Sequence, residues 1–233
     1  MSRVYRIVSP HFDDATLSCS LFIAANPGSL VTTVFAGGPP SVSPLTGWDK
    51  ATRYFRDGDD VISERRREDE RSTALLRAKS EHLSFWDEQY RCAWYGYDGL
   101  EAAELLSAIS EELARLASQR PVDAWLMPLG LGHDDHRLTA AACLEVADSH
   151  DVDCYVYEEL PYYKEAVAEV TDQIRDLQRR GFRLVKDDSL RSSSDRSLKR
   201  AAVRCHRSQL RTLGRRVGRA VRGPERIWRL EPG

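Results

Sequence analysis

Val4-Tyr5-Arg6-Ile7-Val8 runs directly into Ser9-Pro10-His11-Phe12-Asp13-Asp14 and then into Ala15-Thr16-Leu17-Ser18-Cys19-Ser20. The first five residues form a short β-branched and aromatic run, the pattern of a buried strand. Ser9-Pro10 ends it. Ala15 to Ala25 then predicts a helix with Leu17, Leu21 and Ala24 on one face. His11, Asp13 and Asp14 lie in the loop between. Open α/β sheets gather their ligands in loops just past the carboxyl ends of strands. His11 offers a metal an imidazole nitrogen and Asp14 a carboxylate oxygen, while Asp13 can stay off the metal as a base. Either aspartate also suits a helix cap, so this loop alone leaves both readings open.

A second cluster, Gly132-His133-Asp134-Asp135-His136, lies far along the chain. It follows the apolar run Ala124-Trp125-Leu126-Met127-Pro128-Leu129, which reads as another strand. A helix follows, with Leu138, Ala141, Leu144 and Val146 as apolar positions. If the two strands are parallel neighbours, the two loops meet. His11, Asp14 and His136 then supply two imidazoles and one carboxylate with positions left for water, a ligand count of catalytic zinc. The plainer reading makes Asp135 a helix cap and the histidines surface residues.

With both clusters in view, the chain resembles the PIG-L (LmbE-like) metal-dependent N-deacetylases. Ser9-Pro10-His11-Phe12-Asp13-Asp14 matches their N-terminal P-H-P-D-D-E signature, and Gly132 to His136 their G-H-P-D-H motif. The likeness continues through Arg65-Arg66-Arg67-Glu68-Asp69, Phe85-Trp86-Asp87, Tyr157-Glu158-Glu159-Leu160-Pro161-Tyr162 and Cys205-His206-Arg207-Ser208-Gln209. It implies one Rossmann-like α/β domain over residues 1–233, with a mainly parallel sheet flanked by helices and the site at the strands' carboxyl ends. It implies Zn2+, with Fe2+ as the alternative, on His11, Asp14 and His136. Asp13 would be the general base, His133 would steady the oxyanion or protonate the leaving amine, and Asp135 would orient an imidazole. Arg65, three residues before Glu68, falls at the family's substrate pocket. Asp87, at a strand end, suits a sugar hydroxyl or a turn cap. The chain departs from the family pattern at Ala15 (commonly glutamate), Asp134 (proline), Leu131 (tyrosine in some members) and Arg77, where Leu-Gly-Ala is common.

The remaining elements follow from pattern. Leu30 to Phe35 and His82 to Trp86 read as the second and third strands, with Cys154–Tyr157 and Phe182–Val185 further on. Helices are predicted over Glu64–Lys79 with Ala74, Leu75 and Ala78 as the apolar part, and over Leu100–Ala117, Glu165–Gly181 and Asp195–Leu213. Gln89 to Asp98 reads as a loop. Residues 37–62 are rich in glycine and proline, and a loop that long is usually functional or mobile. Its Trp48, Tyr54 and Phe55 either line a substrate mouth or dock the loop on the body.

Composition narrows the class. The chain has 233 residues, 42% hydrophobic and 30% charged, as in a soluble globular domain. No apolar run is long enough to span a membrane, and strand pattern begins too early for a signal peptide. Five cysteines form no C-x-x-C pair, which suits reduced thiols in the cytoplasm. Residues 191–233 carry 13 Lys/Arg against 3 Asp/Glu. No nucleic-acid motif accompanies them, so this basic segment (214–233 in particular) is read as packing on an acidic body, partly mobile, with Ile227-Trp228 as its anchor.

The expected activity is metal-dependent hydrolysis of an N-acetyl or related acyl group on an amino sugar or glycosylated small molecule. The partner is then an N-acetylated sugar conjugate, with no nucleic acid and no membrane span. Three other readings stay open: an amidase on a non-sugar metabolite, a non-haem iron oxygenase using the same two histidines and carboxylate, and a binding module without catalysis.

Overall fold

The computed structural model describes residues 3–39, 44–95, 102–150, 152–160, 162, 167–188 and 192–233. Among them, seven strands form one sheet: β1 (Tyr5–Ser9), β2 (Leu30–Thr33), β3 (Lys79–His82), β4 (Ala124–Pro128), β5 (Asp153–Tyr157), β6 (Phe182–Val185) and β7 (Ile227–Pro232). Their order is β3-β2-β1-β4-β5-β7-β6. The first five are parallel, and β7 runs antiparallel to both β5 and β6. Ten helices connect them: α1 (Asp14–Ala25), α2 (Gly47–Thr52), α3 (Val61–Leu75), α4 (Glu88–Tyr95), α5 (Ala102–Gln119), α6 (Asp134–Ser149), α7 (Val167–Arg179), α8 (Arg196–Val203), α9 (Arg207–Leu213) and α10 (Arg215–Arg222).

The strand that opens the chain pairs directly with β4, Tyr5 opposite Ala124 and Ile7 opposite Leu126. The chain builds outward from β1 to β2 and β3 on one side, and from β4 to β5 on the other. The order therefore reverses between β1 and β4, the crevice where such sheets bind ligands. Side chains along β1 alternate between faces. Val8 joins a core with Ile109 and Leu113 of α5 and Ala142 and Cys143 of α6. Ile7 joins a second core with Phe22 and Ile23 of α1 and Tyr157 of β5. Both faces are covered, which is why these strands read as unbroken apolar runs.

Several elements differ from the sequence reading, each for a packing reason. Helix α1 has no solvent face: Asp14 to Ala24 are all buried. Helices α8 and α10 cover its outer side, so its serines and threonine sit inside. Helix α3 starts earlier than expected because Asp60 caps it, accepting from Ser63 N. Its buried face is polar (Arg65, Glu68, Asp69, Ser72 and Thr73), while Leu75 points outward. The third strand ends at His82 rather than Trp86; beyond it, Phe35–Ser84 and Gly37–Trp86 form isolated bridges. Of Gln89 to Asp98, expected as a loop, the part up to Tyr95 is helical, and residues 96–98 lie outside the described residues. The helix predicted over 195–213 is two helices broken at Arg204 to His206.

The basic segment is also built in. Arg215 to Arg222 is helix, and Ile227 to Pro232 is a strand between β5 and β6. Glu225 connects the two to the core. Its carboxylate accepts from Leu21 N and Phe22 N of α1 at 2.8 and 3.0 Å, and pairs with buried Lys199 at 2.7 Å. Among the described residues, no helix is long and apolar enough to cross a membrane.

Arg77 holds the turn after α3 at φ 59°. This is the left-handed region that glycine enters freely and other residues enter at a cost of about 1–2 kcal/mol. The turn is kept, although glycine is not: Arg77 O accepts from Gly28 N at 2.8 Å. The arginine side chain is exposed and has no burial to lose. Glycine gives back part of the relief through its freer unfolded chain. Arg77→Gly is therefore expected to stabilise the fold by about 0.5–1 kcal/mol in denaturant unfolding. A destabilised Arg77→Gly would show that the turn carries no strain.

Candidate active site

The two loops converge at the carboxyl ends of β1 and β4. Ser9 shapes the first by donating to His11 O at 2.6 Å and accepting from Ala15 N at 3.0 Å. This tight turn leaves Asp13 at the start of α1, where its side chain makes no capping bond. The helix-cap reading of Asp13 thus fails. Asp14 turns back, its Oδ2 accepting from His11 N at 2.9 Å. In the second loop Gly132 has φ 98°, and a Cβ there would sit 2.7 Å from the Tyr162 ring. Only glycine fits. His133 precedes α6 without capping it, and Asp135 lies inside the helix rather than at its cap.

Asp14 Oδ2 is 3.2 Å from His11 Nδ1 and 3.2 Å from His136 Nε2. His136 Nε2 is buried and lacks hydrogen-bond geometry to any described partner. Nitrogens of His11, His133 and His136 lie within 4.8 Å of one another. The His133 ring stacks on His11 at 4.8 Å between centroids. The far nitrogen of each inner imidazole meets a carboxylate. His11 Nε2 is 3.0 Å from Asp135 Oδ2, and His136 Nδ1 is 3.1 Å from Glu159 Oε1. Such partners fix ring orientation and tautomer around metals. Asp135 is held in turn by Arg91 and by Glu88 N, the latter at 2.9 Å.

Electrostatics sorts the same residues. Burial and the Asp14 charge push the Asp13 carboxyl up to about 7, with the His11 charge opposing. His136 goes the other way from its burial, because Asp14 and Glu159 outweigh desolvation and raise it to about 9. His11 is also raised, by Asp87, Asp135 and Asp14 against burial. Burial and the two neighbouring imidazoles push His133 down to about 4. The inner pair of rings thus sits where positive charge is favoured, and the outer ring is neutral near pH 7.

These groups open into a cleft of about 410 Å³ lined by His11, Asp13, Asp14, Arg65, Asp87 and His133, with Trp48, Glu88, Tyr162 and Gln209 on its walls. Arg65 is buried in α3. Its Nη2 donates to Asp49 Oδ1 at 2.7 Å and its Nη1 lies 3.7 Å from Asp87 Oδ2. Asp87 does cap, its Oδ1 accepting from Gln89 N at 3.1 Å at the start of α4, and its other oxygen faces this guanidinium and accepts from Gln89 Nε2 at 3.0 Å. Every sequence-predicted site residue is thus gathered here, with His136 directly behind the cleft. His206 is buried at the α8–α9 break and does not line the cleft. Leu131 is core, with no hydroxyl at its position; the phenol in the cleft is that of Tyr162, edge-on to His136 at 5.2 Å.

Sequence reasoning missed Asp49 and Arg91 and gave Glu159 no role beyond its place in the family likeness. Glu159 carried one usable signal, its place just past the carboxyl end of β5. Trp48 lines the cleft, whereas Phe55 is buried in a small core with Leu45, Val61 and Tyr90, and Tyr54 is largely exposed. In the described part of the stretch, one aromatic thus faces the cleft and another docks it on the body; residues 40–43 lie outside the described residues.

Known proteins resemble this chain over much of its length. The family profile described as PIG-L, GlcNAc-PI de-N-acetylase, matches residues 6–147. A 2'-N-acetylparomamine deacetylase of Streptomyces fradiae is 32% identical over 171 residues, 67% of this chain and 56% of its own. The chain thus spans little more than half of that relative's length. The 2'-N-acetylparomamine deacetylase of Niallia circulans is 29% identical, over 89% of this chain and 81% of its own. The crystal structure of the A40926 pseudoaglycone deacetylase Dbv21 superposes with a TM-score of 0.71 at 27% identity, covering 91% of this chain and 84% of its own. With more than half of the chain, residues 6–147, matched by the profile and the two His-Asp loops meeting at one crevice, the chain belongs to the PIG-L family.

Proposed function

We propose that the protein is a metal-dependent N-deacetylase that hydrolyses the acetamide of an amino sugar on a glycosylated small molecule. One observation carries the metal: a carboxylate oxygen of Asp14 lies 3.2 Å from each of two imidazole nitrogens, one of them buried without a hydrogen bond. His11 Nδ1, Asp14 Oδ2 and His136 Nε2 are the donors, with Asp135 and Glu159 behind the rings. Two nitrogens and one oxygen suit Zn2+ and Fe2+ alike. When bound, such an ion polarises the amide carbonyl and lowers the pKa of water toward about 7.

The chain's own residues supply the rest. Asp13 lines the cleft beside Asp14 and is unbonded as a cap, so its carboxylate is placed to take a proton from the attacking water. Its raised affinity for that proton suits a base working near neutral pH. His133, neutral at that pH, donates one N–H to the developing oxyanion; such a donor is worth roughly 3 kcal/mol in the transition state. The proton on Asp13 then passes to the leaving nitrogen, giving acetate and the free amine. Arg65, tied to Asp49, sets Asp87 at the cleft wall, where its carboxylate meets sugar hydroxyls. Family membership favours hydrolysis over the oxygenase and binding-only readings.

The test is release of free amine and acetate from N-acetylhexosamine glycosides by the purified protein. Chelation is expected to abolish release, and added Zn2+ or Fe2+ to restore it. Release that survives full removal of metal would overturn the mechanism. Absence of release from every N-acetylhexosamine glycoside, with turnover of a non-sugar acetamide, would move the substrate to the second class.

A further inference from the structure

Trp48 stands in the first turn of α2, where Thr46 Oγ1 caps the helix by accepting from Asp49 N at 3.1 Å. It lines the cleft with 37% of its surface exposed, one of few large apolar side chains so open among the described residues. Its position is fixed by a chain of hydrogen bonds reaching into the body. Indole Nε1 donates to Gln209 Oε1 at 2.8 Å, and Gln209 Nε2 donates to Ser208 Oγ at 2.8 Å. Ser208 donates from its backbone N and its hydroxyl to the two oxygens of Glu68, at 2.9 and 2.6 Å. Gln209, Ser208 and Glu68 are all buried. The next residue of α2, Asp49, receives Arg65. The short helix is thus pinned through two adjacent side chains.

The indole's single polar atom is committed to Gln209, so the surface it leaves toward the cleft is carbon. The rest of the cleft is rich in groups that accept from hydroxyls: Asp13, Asp87, Glu88 and Gln89. A rigid aromatic surface beside several carboxylates complements a molecule that is apolar on its faces and hydroxylated at its rim. A pyranose ring is such a molecule. An unbranched acyl amide is not, because it offers no flat C–H face. We propose that Trp48 is the platform on which the acetamide-bearing sugar stacks, and that Gln209 is the residue that positions it. The inference rests on reading the cleft as that of an amino-sugar deacetylase, and it names the specificity-determining contact within it.

Steady-state kinetics with methyl N-acetyl-β-D-glucosaminide and the metal-loaded protein provide the test. Trp48→Ala is expected to raise KM about tenfold or more, with a smaller change in kcat. Trp48→Phe, which keeps a flat ring, is expected to recover most of the loss. Gln209→Ala keeps the indole but frees it, and is expected to raise KM while leaving the sugar-dependent emission change reduced rather than abolished. Titrating methyl β-D-glucosaminide into the wild type should alter tryptophan emission, and that change should vanish in Trp48→Phe. A KM in Trp48→Ala within about twofold of wild type, or an emission change that persists in Trp48→Phe, would overturn the platform while leaving the deacetylase reading intact. The converse is equally readable: a saturable, Trp48-dependent emission change in a protein that releases no amine supports the platform and sinks the deacetylase reading.

Discussion

Asp14→Ala is expected to lose both bound metal and turnover, whereas Asp13→Asn is expected to keep the metal while turnover falls about 100-fold or more. The two aspartates are adjacent and chemically alike, so only their placement separates them. Asp14 is almost fully buried, and its Oδ2 faces His11 Nδ1 and His136 Nε2 at equal distance. Removing it takes away the oxygen donor and leaves two imidazoles. Asp13 lines the cleft, and its side chain does not cap α1. Asparagine at 13 preserves shape but cannot accept a proton, so binding should survive and chemistry should not. His133→Ala decides a further point. Its ring nitrogen lies within 4.8 Å of those of His11 and His136, so three imidazoles form a rival donor set. If Asp14 is the ligand, His133→Ala keeps metal and slows the chemical step. Metal content by elemental analysis beside kcat settles all three variants. Metal lost from His133→Ala but kept in Asp14→Ala would exchange the two assignments.

The parts of this site that were legible in the sequence are those that are local. His11, Asp13 and Asp14 fall within four residues, and His133 to His136 within four, each between an apolar run and a helix pattern. Short spacing confines such residues to one loop, and the β1–β4 pairing then needs only adjacent parallel strands. What stayed hidden depends on long-range contacts. Asp49 lies in a stretch of loop composition, and its burial follows only from Arg65 and Tyr90 arriving from α3 and α4. Arg91 lies in an aromatic-rich stretch without clear periodicity, and matters because Asp135 is 44 residues away in sequence but touching in space. The same holds for the fold. Helix α1 reads as one-sided because its outer cover comes from α8 and α10, nearly 200 residues later. The break between α8 and α9 carries no glycine or proline to announce it. It exists because Ser208 N is drawn to Glu68, a partner the periodicity of residues 195–213 cannot show.

Glu159→Ala is expected to weaken metal binding by about 10- to 100-fold and to destabilise the metal-free protein by about 3 kcal/mol or more. Glu159 is fully buried. Its Oε1 accepts from Gly130 N and Leu131 N at 2.9 Å each, and lies 3.1 Å from His136 Nδ1. One carboxylate from the end of β5 thereby holds the turn after β4 and the ring that turn delivers. Alanine strips two buried backbone N–H groups of their partner, each costing about 1–3 kcal/mol when left unmet. It also frees the imidazole to rotate and to place its proton on Nε2, the nitrogen that faces Asp14. Glu159→Gln separates the two effects. Its amide oxygen can still accept from Gly130 and Leu131, so most of the stability should return. Its charge is gone, however, and with it the partner that makes His136 a stronger base, so metal affinity should stay about tenfold low. Competition against a coloured chelator measures the affinity, and thermal unfolding of the metal-free protein measures the stability. If Glu159→Ala binds metal as tightly as wild type while losing stability, the carboxylate serves the turn alone and His136 needs no support from behind.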